Sequence, residues 1–191
     1  MSLEILRREI ESCRRCELYL RRKNPVVGEG PVPSEIMLVG EAPGYYEDLE
    51  GRPFVGRAGR ELDKLLELAG LDRGEVYITN VVKCRPPNNR EPRPQEIEAC
   101  IGYLLRQIDI IKPHIIVTLG NIALQNIFNI YKIEVESIGR IHGKIFMRRT
   151  LRGTLQIIPM YHPATILYKP PLRAVIEEDW RSLGKYLREI L

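Results

Sequence analysis

Short apolar runs recur along the chain. EIMLVG (35–40), VYITNVV (76–82), HIIVTLG (114–120) and LQIIPMYHP (155–163) are each followed by turn residues or a helical pattern, and KIFMRR (144–149) precedes the last of them. Runs of this length and bounding read as strands, the more continuous ones buried on both faces. Helical periodicity fills the spaces between. In GRAGRELDKLLELAG (56–70), Leu62, Leu65, Leu66 and Ala69 share a face, and Gly70 suits the position just past a helix end. Helices are also predicted over 95–111, 121–129 and 172–190, the last with Trp180 on its apolar side. Residues 3–22 read as one further helix through Leu3, Leu6, Ile10 and Leu18. The stretches 24–35 and 85–94 are turn-rich, with repeated Gly, Pro and Asn.

Strands alternating with helices predict an α/β fold with a mostly parallel central sheet, in one domain spanning 1–191. Active sites of such sheets lie in the loops beyond the carboxyl ends of the strands. Three loops meet that condition: GEAPG (40–44), the segment at Asn80, and MYHPA (160–164).

Composition changes this picture little. Hydrophobic residues make up 44% and charged residues 28% of 191 positions, which is ordinary for a globular chain. The net charge of +4 permits a polyanionic partner without demonstrating one. The N-terminal MSLEILRREIESC is charged throughout and lacks the apolar stretch of a signal peptide, and no run is long enough for a membrane span. The expectation is a cytoplasmic protein with no membrane partner. That location bears on Cys13, Cys16, Cys84 and Cys100, since thiols in a reducing compartment are more often metal ligands or buried side chains than disulfides. Cys13 and Cys16 form a C-x2-C pair that Cys84 and Cys100 could complete. Spacing leaves three readings open: unrelated buried thiols, a four-cysteine zinc site, or an iron–sulfur cluster. In any of them the site is expected to be structural, because nothing near it resembles substrate chemistry.

The loops offer candidate chemistry. Gly40, Pro43 and Gly44 make a stiff turn able to present backbone amides, although a generic strand-to-helix turn explains them equally. Phe54, in GRPFVGRAG (51–59), is either a core plug or a stacking surface for a flat base. Asn80 closes an apolar run, and its amide offers a donor and an acceptor able to read a base edge, or else caps a turn. His162 lies at the end of another run; His114 and His142 suggest no role.

GEAPG, GRPFVGRAG, TNVVKCRPPNNREP and YHPA, in this order and interleaved with the four cysteines, resemble the iron–sulfur branch, family 4, of the uracil-DNA glycosylases across nearly the whole chain. The resemblance implies a three-layer α/β/α sandwich around a short, mostly parallel sheet. It implies that Glu41, Ala42 and Pro43 lie against uracil, that Phe54 stacks on the flipped base, that Asn80 bonds its polar edge and that His162 donates to O2. It implies a [4Fe–4S] cluster on Cys13, Cys16, Cys84 and Cys100. One departure matters. The best-known branch of the superfamily carries a Gln-Asp pair where this chain has Glu41-Ala42, and the Asp there orients the attacking water. That branch also places a thymine-excluding Tyr where this chain has Gly44. Tyr45, Tyr46 and Glu47 are the residues available for those two jobs.

The implied reaction is hydrolysis of the N-glycosidic bond of uracil in single- or double-stranded DNA. Catalytic candidates are His162 for the departing anion and Glu41 or Glu47 for the sugar cation. No lysine suggests a Schiff base, so the enzyme is expected to leave the strand uncut. Ile166 and Leu167 are the candidate wedge into the vacated stack, with Tyr168 beside them. Lys169, Arg173, Arg85, Arg90 and Arg93 are phosphate candidates, with Arg14, Arg15, Arg21 and Arg22 further off. A monomer is expected. The C-terminal YLREIL carries no clear sliding-clamp motif, which leaves that partner unread. Two rivals stand: a non-catalytic iron–sulfur module of the same fold that only binds nucleic acid, and a zinc-stapled hydrolase of a small molecule.

Overall fold

The computed structural model describes residues 2–191. Five strands form one sheet: β1 (Ile36–Gly40), β2 (Tyr77–Asn80), β3 (Ile115–Leu119), β4 (Phe146–Thr150) and β5 (Gly153–Met160). Their spatial order is β2-β1-β3-β5-β4, all neighbours parallel except the β4–β5 hairpin. Every residue of β1, β2 and β3 is buried, which is why those runs are mostly apolar on both faces rather than alternating.

The two-residue period of a strand sends alternate side chains to opposite layers. Ile36 and Leu38 of β1 join Val117, Ile158 and Trp180 in one core, whereas Met37 and Val39 join Ile116, Leu104 and Leu124 in the other. The first core is covered by α3 (Arg57–Ala69) and α8 (Arg173–Ile190); the second by α1 (Leu3–Glu11), α4 (Pro94–Ile111) and α5 (Asn121–Ile130). The result is the expected three-layer sandwich. No helix among the described residues is long and apolar enough to cross a membrane.

The helix expected over 3–22 is shorter than its periodicity suggests. It stops at Glu11, where Ser12 turns its hydroxyl back onto the Arg8 carbonyl, 3.0 Å away, and the chain then opens to present Cys13 and Cys16. Three short helices had too few turns to show a period: α2 (Tyr45–Glu50), α6 (Ile138–Ile141) and α7 (Thr165–Tyr168). Two of them, α2 and α7, flank the carboxyl end of the sheet, where they form the walls of the groove described next.

Candidate active site and cysteine chamber

The carboxyl ends of β1, β2, β3 and β5 open into one groove of about 800 Å³. It is lined by Glu41, Ala42, Pro43, Glu47, Phe54, Asn80 and His162, so residues far apart in sequence share one space. Gly40 explains how closely they meet. A Cβ there would stand 2.4 Å from Asn80 Oδ1 and 2.7 Å from Phe54 Cζ, so only glycine lets the amide and the ring close over the end of β1.

Phe54 is neither a simple core plug nor a free surface residue. It is 6% exposed, its ring lies 5.7 Å from that of His162, and its backbone is held at φ +48°. A bulky residue in the left-handed region costs on the order of 1–3 kcal/mol and persists only where its surroundings enforce it. Here they do so from both sides. Arg73 donates to the carbonyls of Pro53 (2.5 Å) and Phe54 (3.0 Å), and is itself anchored by Asp63 and Glu29. Glu47 Oε1 accepts from the amides of Val55 (3.1 Å) and Gly56 (3.0 Å). Gly59 admits the turn, since a Cβ there would meet the Phe54 carbonyl oxygen at 2.0 Å. Arg73 carries no motif signal in the sequence; only the fold brings it under this loop.

Asn80 is 2% exposed, and among the described residues its Oδ1 has no hydrogen-bond partner. A buried acceptor left unpaired costs about 1–3 kcal/mol, so this one marks a place where something else donates. The Asn80 backbone carbonyl is held from below by Lys83. The Lys83 ammonium is fully buried and donates to Asn80 O (2.6 Å), Thr79 Oγ1 (2.7 Å) and Gln107 Oε1 (2.5 Å). Burial pushes its pKa down to about 7, as in a nucleophilic lysine, but it does not line the groove and its donors are spent on the fold.

Burial also pushes the His162 imidazole down to about 4. The Ala164 amide donates to Nδ1 at 3.1 Å, which makes Nδ1 the acceptor and puts the single proton of the neutral ring on Nε2. Glu41 is half-buried in the groove wall. Desolvation, and then the charge of Glu91, raise its pKa above the usual carboxylate range. Unlike Glu47, it spends neither oxygen on pinning a loop, and among the described residues no hydrogen bond to its carboxylate is seen.

Several expected contacts fall elsewhere. Ile166 is buried in the apolar core beneath α7, packed with Trp180 and Met160, and cannot enter a base stack; Leu167 and Tyr168 stand at the groove instead. Arg173 is paired with Glu61 and Glu177. Arg90 forms a bidentate pair with Glu96 at 2.9 and 2.7 Å. Arg22 donates to Cys84 Sγ (3.1 Å) and to the Glu11 carbonyl. These three arginines hold the fold together rather than stand free for phosphates. Arg15 lies over Tyr103 and Arg14 over Tyr19. Lys169 remains on the groove wall, and Arg85 lies over the ring of the groove residue Tyr45.

The four cysteines line a second, narrow cavity on the far side of Lys83, together with Ile10, Val82, Arg22 and Tyr103. Cys84 Sγ accepts from Arg22, and Cys100 Sγ from the Lys83 amide at 3.3 Å. Among the described residues no three Cys, His, Asp or Glu side chains are grouped for a single ion. The sulfurs surround a space instead of converging on a point.

Residues 27–184 match the family model described as the uracil DNA glycosylase superfamily. The chain is 48% identical to a type-4 uracil-DNA glycosylase of Saccharolobus solfataricus, over 97% of this chain and 87% of that one. It is 48% identical to the type-4 enzyme of Archaeoglobus fulgidus (96% and 92% covered) and 43% identical to that of Thermotoga maritima (98% and 95%).

Proposed function

The chain belongs to the uracil DNA glycosylase superfamily, and on that premise we propose that it hydrolyses the N-glycosidic bond of uracil in DNA, in the type-4 manner. The observation that carries the residue-level reading is the buried Asn80 Oδ1, without a partner among the described residues, beside the ring of Phe54, whose backbone is held at a positive φ. Uracil offers an N3–H to that oxygen and its O4 to the amide nitrogen, while its flat face lies on Phe54. Glu41, Ala42 and Pro43 close the remaining side.

Bond cleavage sends the C1′–N1 electron pair onto the uracil, where charge collects on O2. Neutral His162 donates its Nε2–H there and needs no prior protonation. The oxocarbenium-like sugar is left facing Glu41. A water then attacks C1′, and the raised pKa of Glu41 suits that carboxylate to take the water's proton. Glu47 is given a different task from the one its sequence position suggested: it pins the Phe54 loop and so positions the stacking ring. Leu167, half-buried in the groove wall while Ile166 is buried in the core, is the wedge. Leu167→Ala should lower activity on duplex several-fold more than on single strands; equal losses on both would remove it from that role.

Cys13, Cys16, Cys84 and Cys100 fit a [4Fe–4S] cluster, because four sulfurs surround one cavity and two of them already accept N–H donors. Such a cluster would cross-link the segment after α1 to the chain that follows β2, through Cys84, and to α4, through Cys100, and supply no step of the hydrolysis.

The decisive experiment uses labelled oligonucleotides with one uracil opposite G, opposite A or unpaired, beside thymine and cytosine controls. Strand breaks only at uracil and only after alkali are expected. No breaks would leave a binding module, and breaks before alkali would contradict simple hydrolysis. A pH series adds a check on His162. With its pKa near 4, His162 should add no acid limb to kcat between pH 8 and 5, and any fall there that persists in His162→Gln belongs to protonation of Glu41. Between 6.5 and about 4 the unfolded chain binds a proton that the folded site refuses, so His162 subtracts stability as pH falls through that window. An acid limb near pH 6.5 that vanishes in His162→Gln would show that the ring titrates normally.

A further inference from the structure

Among the described residues the well-exposed aromatic side chains are Tyr45, Tyr46 and Tyr168, and all of them border the active-site groove. The fold gives no reason for this, since all three rings leave about half or more of their surface to solvent. Tyr45 and Tyr46 open α2 directly after the loop that carries Glu41. Their rings meet edge to face, 5.3 Å apart at 86°, which fixes the orientation of Tyr45. The Arg85 guanidinium lies over the Tyr45 ring at 5.1 Å, and its Nε donates to Asn89 Oδ1 at 2.7 Å. An oriented aromatic ring layered with a cation, half open to solvent and continuous with the groove, has the make-up of a stacking platform for an unpaired base beside a phosphate.

We propose that Tyr45, braced by Tyr46 and layered with Arg85, binds the nucleotide adjacent to the uridine when the DNA is single-stranded. This deepens the reading of the groove as the uracil site and rests on it. The occupant is an unpaired neighbour because a duplex keeps its bases stacked on one another, whereas a single strand offers free base faces next to the flipped residue. The platform replaces the stacking that the flanking base has lost and so lowers KM for single strands.

The test compares a single-stranded oligonucleotide carrying one uracil with strands in which the 5′ or the 3′ neighbour lacks its base, and with a duplex. For the unaltered protein, loss of the base on one side should raise KM about tenfold. Tyr45→Ala should raise KM for the intact strand by a similar factor, with kcat unchanged, and should no longer sense the missing base. Tyr45→Phe, which keeps the ring, should behave like the unaltered protein, and duplex KM should move less than twofold in every case. Tyr45→Ala with single-strand KM within twofold of normal, or still penalised by the missing base, would overturn the platform. Should the unaltered protein release no uracil at all, it is the proposed function that fails. The platform is then judged by anisotropy of a labelled uracil-free strand, where Tyr45→Ala must weaken binding and Tyr45→Phe must not.

Discussion

Asn80→Ala is expected to lower kcat/KM for uracil release about a hundred- to a thousandfold while leaving thermal stability unchanged or raised. The size follows from removing one positioned hydrogen-bonding group from a water-poor site, worth about 3–4 kcal/mol in a transition state that places charge on the base. The direction of the stability change is the more telling half. Asn80 Oδ1 is buried with no partner, so the folded protein holds an acceptor at a penalty that alanine removes. The fold contacts at this position belong to the backbone, whose carbonyl still receives Lys83 and whose amide stays in the sheet. A residue kept for structure would show the opposite pairing, with stability and activity falling together. Asn80→Asp sharpens the argument. It keeps the volume but replaces the N–H donor with an acceptor, which opposes uracil O4 and faces the amino group of cytosine. Its loss on uracil should therefore exceed that of alanine. Uracil release by Asn80→Ala within about fivefold of normal would remove Asn80 from the reading of the base.

The catalytic residues could be read from the chain more easily than the devices that hold them. β1 and β3 were legible because both of their faces are buried and apolar residues dominate them, Thr118 being the single polar side chain in β3. The loops at their ends announced themselves through glycine and proline. What sequence could not show was side-chain phase in elements of one turn. Ile166 and Leu167 are neighbours of equal hydrophobicity, and only the seating of α7 against Trp180 turns the first into the core and the second onto the groove. Nor could it show which ions are already spent. Arg90, Arg173 and Arg22 looked like free cations, yet each meets a partner inside the fold. Glu41 and Glu47 are equivalent on paper. Two backbone amides at 3.0 and 3.1 Å make one of them a strut, and the lack of any such partner leaves the other available for chemistry.

Cys84→Ala should abolish visible absorbance and lower the melting temperature by about 10 °C or more. The chamber joins the chain just after α1 to the stretch that follows β2 and to α4, and α1 otherwise adheres mainly through Leu6, Ile10 and the Glu9–Arg106 pair. Losing a structural metal centre typically removes several kcal/mol, and in a chain of this size each kcal/mol moves the midpoint by about 2–4 °C. Cys13→Ala should lose cluster and stability alike, but the two variants should part in activity measured well below the melting point. Cys84 follows Lys83, whose ammonium holds the Asn80 carbonyl, while Cys13 lies on a segment that touches nothing in the groove. Disturbance at Cys84 therefore passes to the base-reading residue through a single hydrogen bond, and KM for uracil-containing strands should rise further in Cys84→Ala than in Cys13→Ala. Iron and sulfide content measured on both variants ties the comparison to the cluster. Colourless unaltered protein holding one equivalent of zinc after anaerobic preparation would replace the cluster with a four-thiolate ion site. Equal KM values for the two variants would show that the chamber supports the fold without reaching Asn80.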